Sequence, residues 1–270
     1  MKLIQSPSDR LELSSYVDHY QYFKTDKPTY FKTVPNGRLD FYLIKKGTFS
    51  YWDYDAKKLI ESESFGYFPI LNSTALYIIP GNLEIFNIKF RLPVLCCSTF
   101  NQLLQQQPLS RFKIDFLNEF IATLDSKFLT VASEINTPFL DESISALIET
   151  AEKDERLSAL FQLFEHYDNS LIRTSQVASR LHITVKTLER LISKNLNMTP
   201  KKLWSIIRFQ SVSEEIHGNE KMNFKSAYDY GYHDQSHFIK ECKKITGLAP
   251  REFFKQLNMP AKDVLFNPKD

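Results

Sequence analysis

The segments TVKTLERLISKNLNMTP (Thr184–Pro200) and DQSHFIKECKKITGLAP (Asp234–Pro250) align at a constant offset of 50 residues, and this repeat constrains the fold more than any other feature of the chain. Each segment opens on a residue able to cap a helix, Thr184 or Asp234, whose side-chain oxygen accepts from the first free amides. Each places apolar side chains four residues apart on one stripe, Leu188 and Ile192 in the first, Phe238 and Cys242 in the second. Each stops at a residue suited to left-handed backbone, Asn197 or Gly247. A proline three residues later, Pro200 or Pro250, is placed to begin the next helix.

Upstream of each cap a further short helix is expected, with a small residue in it: Ala178 in SQVASRL and Ala227 in FKSAYDYGY. A small residue lets one helix approach the next across a tight turn, which is the outline of a helix-turn-helix. Two such units therefore stand in the last third of the chain. The helix between them, from Lys201 to about Ile216 with Leu203, Trp204 and Ile207 inward, is expected to hold them rigidly apart.

At this point the resemblance to the AraC/XylS family of transcription regulators is specific. SAYDYGYHDQSHFIKECKKITGLAPREF resembles the family's second helix-turn-helix through Gly231, Tyr232, Asp234, Gln235, Ser236 and Phe238, and VASRLHITVKTLERLISKNLNMTPKKLWSIIRFQ resembles the first. The likeness covers about residues 171–256. TVPNGRLDFYLIKKGTF is similar to the entry of a small N-terminal β domain carried by one subgroup. The resemblance implies a transcription regulator, activator or repressor, whose partners are double-stranded DNA and RNA polymerase; with no stretch resembling a signal peptide, a cytoplasmic protein is expected. Three residues depart from the family pattern. His182 and Asn197 stand where glycine is usual, and both residue types tolerate positive φ. Ala249 replaces the usual Ser or Thr before Pro250, so that helix lacks a side-chain cap.

Charge divides the chain the same way. Residues 171–258 hold 15 Lys+Arg against 8 Asp+Glu, whereas residues 1–170 hold 17 against 22. A basic third facing a polyanion, with a different task for the rest, accounts for that division.

The remainder reads as α+β. From Leu39 to about Phe90 the pattern is strand-like, with Gly37, Gly47, Gly66 and Gly81 marking turns, and a small barrel or sandwich is expected. Of 37 aromatic residues 19 lie in the first 100 positions, enough to line a pocket or to fill a small core. Phe112, Phe116, Phe120 and Leu124 then recur every four residues, and Ile144, Leu147 and Ile148 are followed by Leu157, Leu160, Phe161 and Phe164 at helical spacing. The expected organisation is a β domain for sensing or assembly at 1–98, a helical connector at 99–167 where two chains can pair as a homodimer, a reader with two helix-turn-helix units at 168–258, and a tail at 259–270. A small-molecule effector is an expected partner of the β domain.

Other chemistries find little support. The N-terminus does not resemble a signal peptide, and no apolar run approaches the roughly 18 residues of a membrane span, so no membrane partner is expected. Cys96, Cys97 and Cys242 form no disulfide framework, and an adjacent pair in a strand points to opposite faces. His233, His237 and Cys242 have the spacing H-x3-H-x4-C, which a zinc site can use, but the helix-turn-helix puts Cys242 on the buried stripe. No metal and no cofactor is expected. No nucleophile elbow, P-loop or dinucleotide fingerprint occurs, and His19 is the one histidine before His166, so an enzyme is disfavoured.

Reading DNA needs donors and acceptors opposite the buried stripe. Lys186, Glu189, Arg190 and Ser193 form such a strip on the first recognition helix, with Arg190 suited to guanine O6 and N7 and Glu189 to a cytosine amino group. On the second helix Gln235, Ser236, Ile239 and Lys240 hold equivalent places, Ile239 being suited to a thymine methyl. Thr199 and Lys201, at the start of the linking helix, suit a phosphate. The competing reading of a different class is an interaction module whose basic third docks an acidic partner while the β domain binds a small molecule.

Overall fold

The computed structural model describes residues 1–33, 37–53, 57–68, 75–105, 115–130, 134–165, 173–218 and 230–257. Nine strands come first: β1 Lys2–Ser6, β2 Val17–Thr25, β3 Thr29–Thr33, β4 Arg38–Lys46, β5 Ser50–Asp53, β6 Lys58–Glu61, β7 Phe65–Phe68, β8 Ala75–Ile79 and β9 Leu83–Arg91. They form two antiparallel sheets, of order β1-β2-β9-β4-β7 and β3-β8-β5-β6. Tyr42 and Ile85 of the larger sheet share one buried cluster with Tyr77 and Ile79 of the smaller, so the two sheets pack face to face.

Helices cover the other face of the larger sheet. They are α1 Ser98–Gln105, α2 Asp115–Lys127, α3 Thr137–Thr150 and α4 Glu155–Glu165. Phe86 of β9 stacks on Phe128 just beyond α2 at 4.3 Å, and the Tyr20 hydroxyl on β2 donates to the fully buried Asp141 of α3 at 2.5 Å. A sheet buried on both faces needs apolar residues on both, which is why β9, LEIFNIKFR, alternates so poorly. The periodicity in the middle of the chain is explained by these helices: Leu124, Ile144, Leu147, Ile148, Leu157, Leu160 and Phe161 are all buried. Phe112 lies outside the described residues, as do Ala227 with most of its predicted helix and the tail from 258.

Two expectations are corrected. Gly66 lies within β7, not in a turn; it pairs with Tyr42, and a Cβ there would stand 2.6 Å from the Tyr42 hydroxyl, so the glycine makes room for that ring. Cys96 ends a short 3-10 turn, Leu92–Cys96, and both it and Cys97 are buried, so the pair does not alternate across a strand.

The C-terminal part contains α5 Thr174–Arg180, α6 Val185–Leu196, α7 Pro200–Gly218, α8 Gln235–Thr246 and α9 Pro250–Leu257. Its burial falls into two clusters. Leu188, Ile192, Leu196, Met198, Leu203, Trp204 and Ile206 belong to one core with Leu95, Phe100, Leu160 and Phe161. Phe209, Val212, Phe238, Cys242, Ile245, Phe253 and Phe254 form a separate core. The first unit is thus packed into the helical connector, while the second has a core of its own. No helix among the described residues is long and apolar enough to cross a membrane.

Candidate nucleic-acid interface

The first helix-turn-helix is built as its residues require. Ala178, buried, sits where α5 meets the turn, and the Ile183 amide donates to its carbonyl at 3.0 Å. His182 takes φ 52° in the turn, the left-handed conformation expected of it. Thr184 caps α6 by accepting from the Thr187 amide at 3.1 Å, and Asn197 closes the helix at φ 50°. Leu188 and Ile192 are fully buried beneath. The strip above them carries Lys186, Glu189, Arg190 and Ser193, all exposed, and no ion pair among the described residues takes in the first three. A strip held rigid from below and unpaired above is free to meet a ligand.

In the second unit, the turn and recognition helix repeat that plan. Gly231 has φ 77°, Asp234 accepts from the His237 amide at 2.7 Å, and Gly247 ends α8 at φ 78°. Phe238 and Cys242 are fully buried, as the stripe requires, while Gln235, Ser236 and Lys240 are exposed and Ile239 is half-buried. Cys242 turns its sulfur toward the Leu248 carbonyl at 3.6 Å, and burial pushes its thiol up to about 12. It therefore stays a neutral thiol at ordinary pH, whereas His233 is exposed and its amide donates to His237 Nδ1 at 3.4 Å. The zinc spacing is that of a capped turn followed by a core position.

The linking helix α7 grips both units. Trp204 Nε1 donates to Thr174 Oγ1 at the start of α5 (3.2 Å), and Phe164 meets the Trp204 ring edge-on at 5.1 Å. The next residue, Ser205, donates to Glu241 of α8 at 2.5 Å, and Arg208, one turn on, lies 3.4 Å from the same carboxylate oxygen. Arg208 also donates to the Gly231 carbonyl at 3.3 Å and covers the Tyr232 ring at 4.8 Å. Sequence reasoning missed this clamp, because a basic residue in a basic third looks like a ligand contact until its acidic partner is placed beside it. At the opening of α7 the Lys202 amide donates to Thr199 Oγ1 (3.3 Å), with Thr199 and Lys201 exposed. Ala249 offers α9 its carbonyl alone, accepting from Glu252 and Phe253.

A polar contact not foreseen in the sequence joins α6 to the connector. Asn101 Nδ2 of α1 donates to Asn195 Oδ1 at 2.8 Å and to the Leu95 carbonyl at 3.0 Å, while Asn195 Nδ2 donates to the Leu191 carbonyl at 2.8 Å. Gly37, entering β4, makes a second approach: a Cβ there would lie 2.5 Å from Gln210 Oε1 on α7.

Comparison with known proteins supports this geometry. A family model described as a helix-turn-helix domain matches residues 177–256. Among solved structures, ToxT from Vibrio cholerae is similar over 94% of this chain and 98% of its own, with 13% identity and a TM-score of 0.51. A ToxT structure with an unsaturated fatty acid bound gives 12% identity, coverage of 97% and 98%, and a TM-score of 0.49. A transcriptional regulator with an AraC-type DNA-binding domain from Chromobacterium violaceum is 20% identical over 40% of this chain and 96% of its own, with a TM-score of 0.37. No curated protein sequence matches. Two capped recognition helices in register thus lie within a helix-turn-helix domain matched over the residues that form them, and the chain as a whole has the fold of ToxT.

Proposed function

We propose that α6 enters the major groove of duplex DNA and reads it with Arg190, Glu189, Lys186 and Ser193, while α8 faces the next turn of the same duplex with Gln235, Ser236, Ile239 and Lys240. Thr199 and Lys201 hold a phosphate at the start of α7. The observation that carries this reading is the exposed, unpaired strip of α6 standing over a fully buried Leu188 and Ile192. Acting on DNA places the protein in the cytoplasm beside RNA polymerase.

The test separates reading from holding on a site selected from random duplexes. Arg190→Ala removes a forked donor, costing about 1–3 kcal/mol on the best site and relaxing preference at one base pair. Lys201→Ala weakens all sequences by similar factors and lowers the slope of log affinity against log salt by about one unit. Indistinguishable base profiles for the two variants would remove α6 from the groove. An acidic-partner module predicts no binding to random duplex DNA even at low salt.

The β domain is proposed to hold a small-molecule effector between its two sheets; ToxT is a protein with an unsaturated fatty acid bound. The supporting observation is the inner face of the larger sheet, where register places Gln21, Asn87 and Tyr42 in one row and His19, Lys89 and Asp40 in the next. Gln21 and Lys89 are buried, and among the described residues Gln21 Nε2 has no hydrogen-bond partner. An orphaned buried donor is costly unless something accepts from it. Phe23, Ile44 and Ile85 continue the face as apolar lining, so the chemistry fits a ligand with an acceptor at one end and a hydrocarbon body.

A further inference from the structure

The 50-residue repeat allows the DNA-facing surfaces of the two recognition helices to be compared position by position, and they differ in kind. Glu189 of α6 corresponds to Ile239 of α8, Arg190 to Lys240, Ser193 to Lys243 and Lys194 to Lys244. Lys240, Lys243 and Lys244 are all exposed. The one carboxylate in α8, Glu241, is turned inward, where it accepts from Ser205 and is neutralised by Arg208. The outward face of α8 is therefore cationic with no acid on it, whereas α6 displays Glu189 among its cations.

These chemistries do different things to DNA. A forked guanidinium and a carboxylate discriminate between base edges, and a carboxylate near the backbone also repels phosphate. Ammonium groups on long flexible stems act as point charges that displace counterions without regard to sequence. Two of the three lysines are in the last turn of α8, where favourable interaction with the helix dipole explains their charge equally well if no DNA is involved.

Resting on the DNA-reading function above, we propose that the units divide their labour: α6 supplies most of the base selection, and α8, through Lys240, Lys243 and Lys244, is the backbone-gripping unit that supplies most of the salt-dependent affinity. Lys243 and Lys244 thereby join the DNA-contacting residues.

The experiment measures binding of the full chain to a selected site, to a panel of single-base variants across both half-sites, and to random duplex, between 50 and 200 mM salt. The Lys243→Gln, Lys244→Gln double variant lowers the salt slope by about two units, so wild type loses about twelve-fold more affinity than the variant across that fourfold salt change. Its base-preference profile stays that of wild type. Glu189→Gln does the reverse: it flattens preference at one base pair of the first half-site, strengthens random binding and leaves the slope undiminished. Melting temperature recorded beside each titration assigns any general loss to folding, and Lys240→Gln, one turn earlier on the same face, then supplies the same slope test. An unchanged slope in the lysine variants, or a changed profile at the second half-site, overturns the division of labour while leaving DNA binding in place. Failure of the wild-type chain to bind any duplex at low salt overturns the DNA-reading function itself.

Discussion

The Asn101–Asn195 contact makes a quantitative prediction about how the first recognition helix is held. Asn195 is 8% exposed and each of its amide atoms is engaged, with Asn101 above and Leu191 within α6. Asn101→Ala strips the Asn195 oxygen of its donor and the Leu95 carbonyl of another, in a site water cannot readily enter. An orphaned buried acceptor costs about 1–3 kcal/mol. Asn195→Ala leaves Asn101, which is half-buried, still bonded to Leu95 and partly open to water, so its cost is at the low end, about 1 kcal/mol. In the double variant neither partner is orphaned by the other, and the loss falls short of the sum by about 0.5–1.5 kcal/mol. Urea unfolding followed by helical circular dichroism, with the midpoint and slope fitted separately for all four proteins, yields that coupling. Strict additivity within about 0.3 kcal/mol would show that α1 and α6 do not bear on one another and that the continuous core is not felt as one unit.

Two further predictions concern the β domain. Burial alone would raise the Asp18 carboxyl, but its hydrogen bond from His19 and the guanidiniums of Arg38 (3.2 Å) and Arg91 (2.8 Å) outweigh it and hold the group well below the usual carboxylate range. Its contribution is complete above the ordinary carboxylate pKa and is lost as pH falls below that value, so Asp18→Asn should cost about 1–3 kcal/mol at pH 7 and progressively less in acid, measured by denaturant titration at each pH. For the proposed effector site, a fatty acid used as a probe with an acceptor head and a hydrocarbon body should raise the melting temperature of wild type and raise it less for Gln21→Ala; equal shifts in the two would refute the site between the sheets.

Where the sequence was legible, local chemistry and tertiary role agreed. Thr184, Asp234, Asn197 and Gly247 cap or close their helices with groups that do little else, and Leu188 and Phe238 are buried because the stripe leaves them no alternative. The pattern failed where a residue answers to a distant neighbour. β2 was hard to read because a register shift between Val17 and His19 breaks its alternation, and its inward face carries His19 and Gln21 in place of apolar side chains. Asn195 is a polar residue at a buried position of α6 whose reason lies 94 positions away in the chain. Arg208 belongs to Glu241 and Tyr232, and its charge reads as solvent-facing until they are brought together.

The linking helix explains why the pattern of α7 was only partly readable and why it suits its place. An ordinary amphipathic helix buries one stripe; α7 buries Leu203, Trp204 and Ile206 in the first unit's core and Phe209 and Val212 in the second's, so its apolar residues change face midway. Because both cores close on the same rod, the units cannot shift relative to one another without breaking α7 or unpacking one of them. A 19-residue helix spans about 28 Å at 1.5 Å per residue. The residues that enter the two cores, Leu203 to Ile206 and Phe209 to Val212, lie within ten consecutive positions of it, so the units close on adjoining stretches of one rod. The Trp204–Thr174 bond fixes the first unit's rotation about the rod, and the Arg208–Glu241 contact fixes the second's. The placement and rotation of the two units about α7 are thus both set by side chains within two turns of that helix.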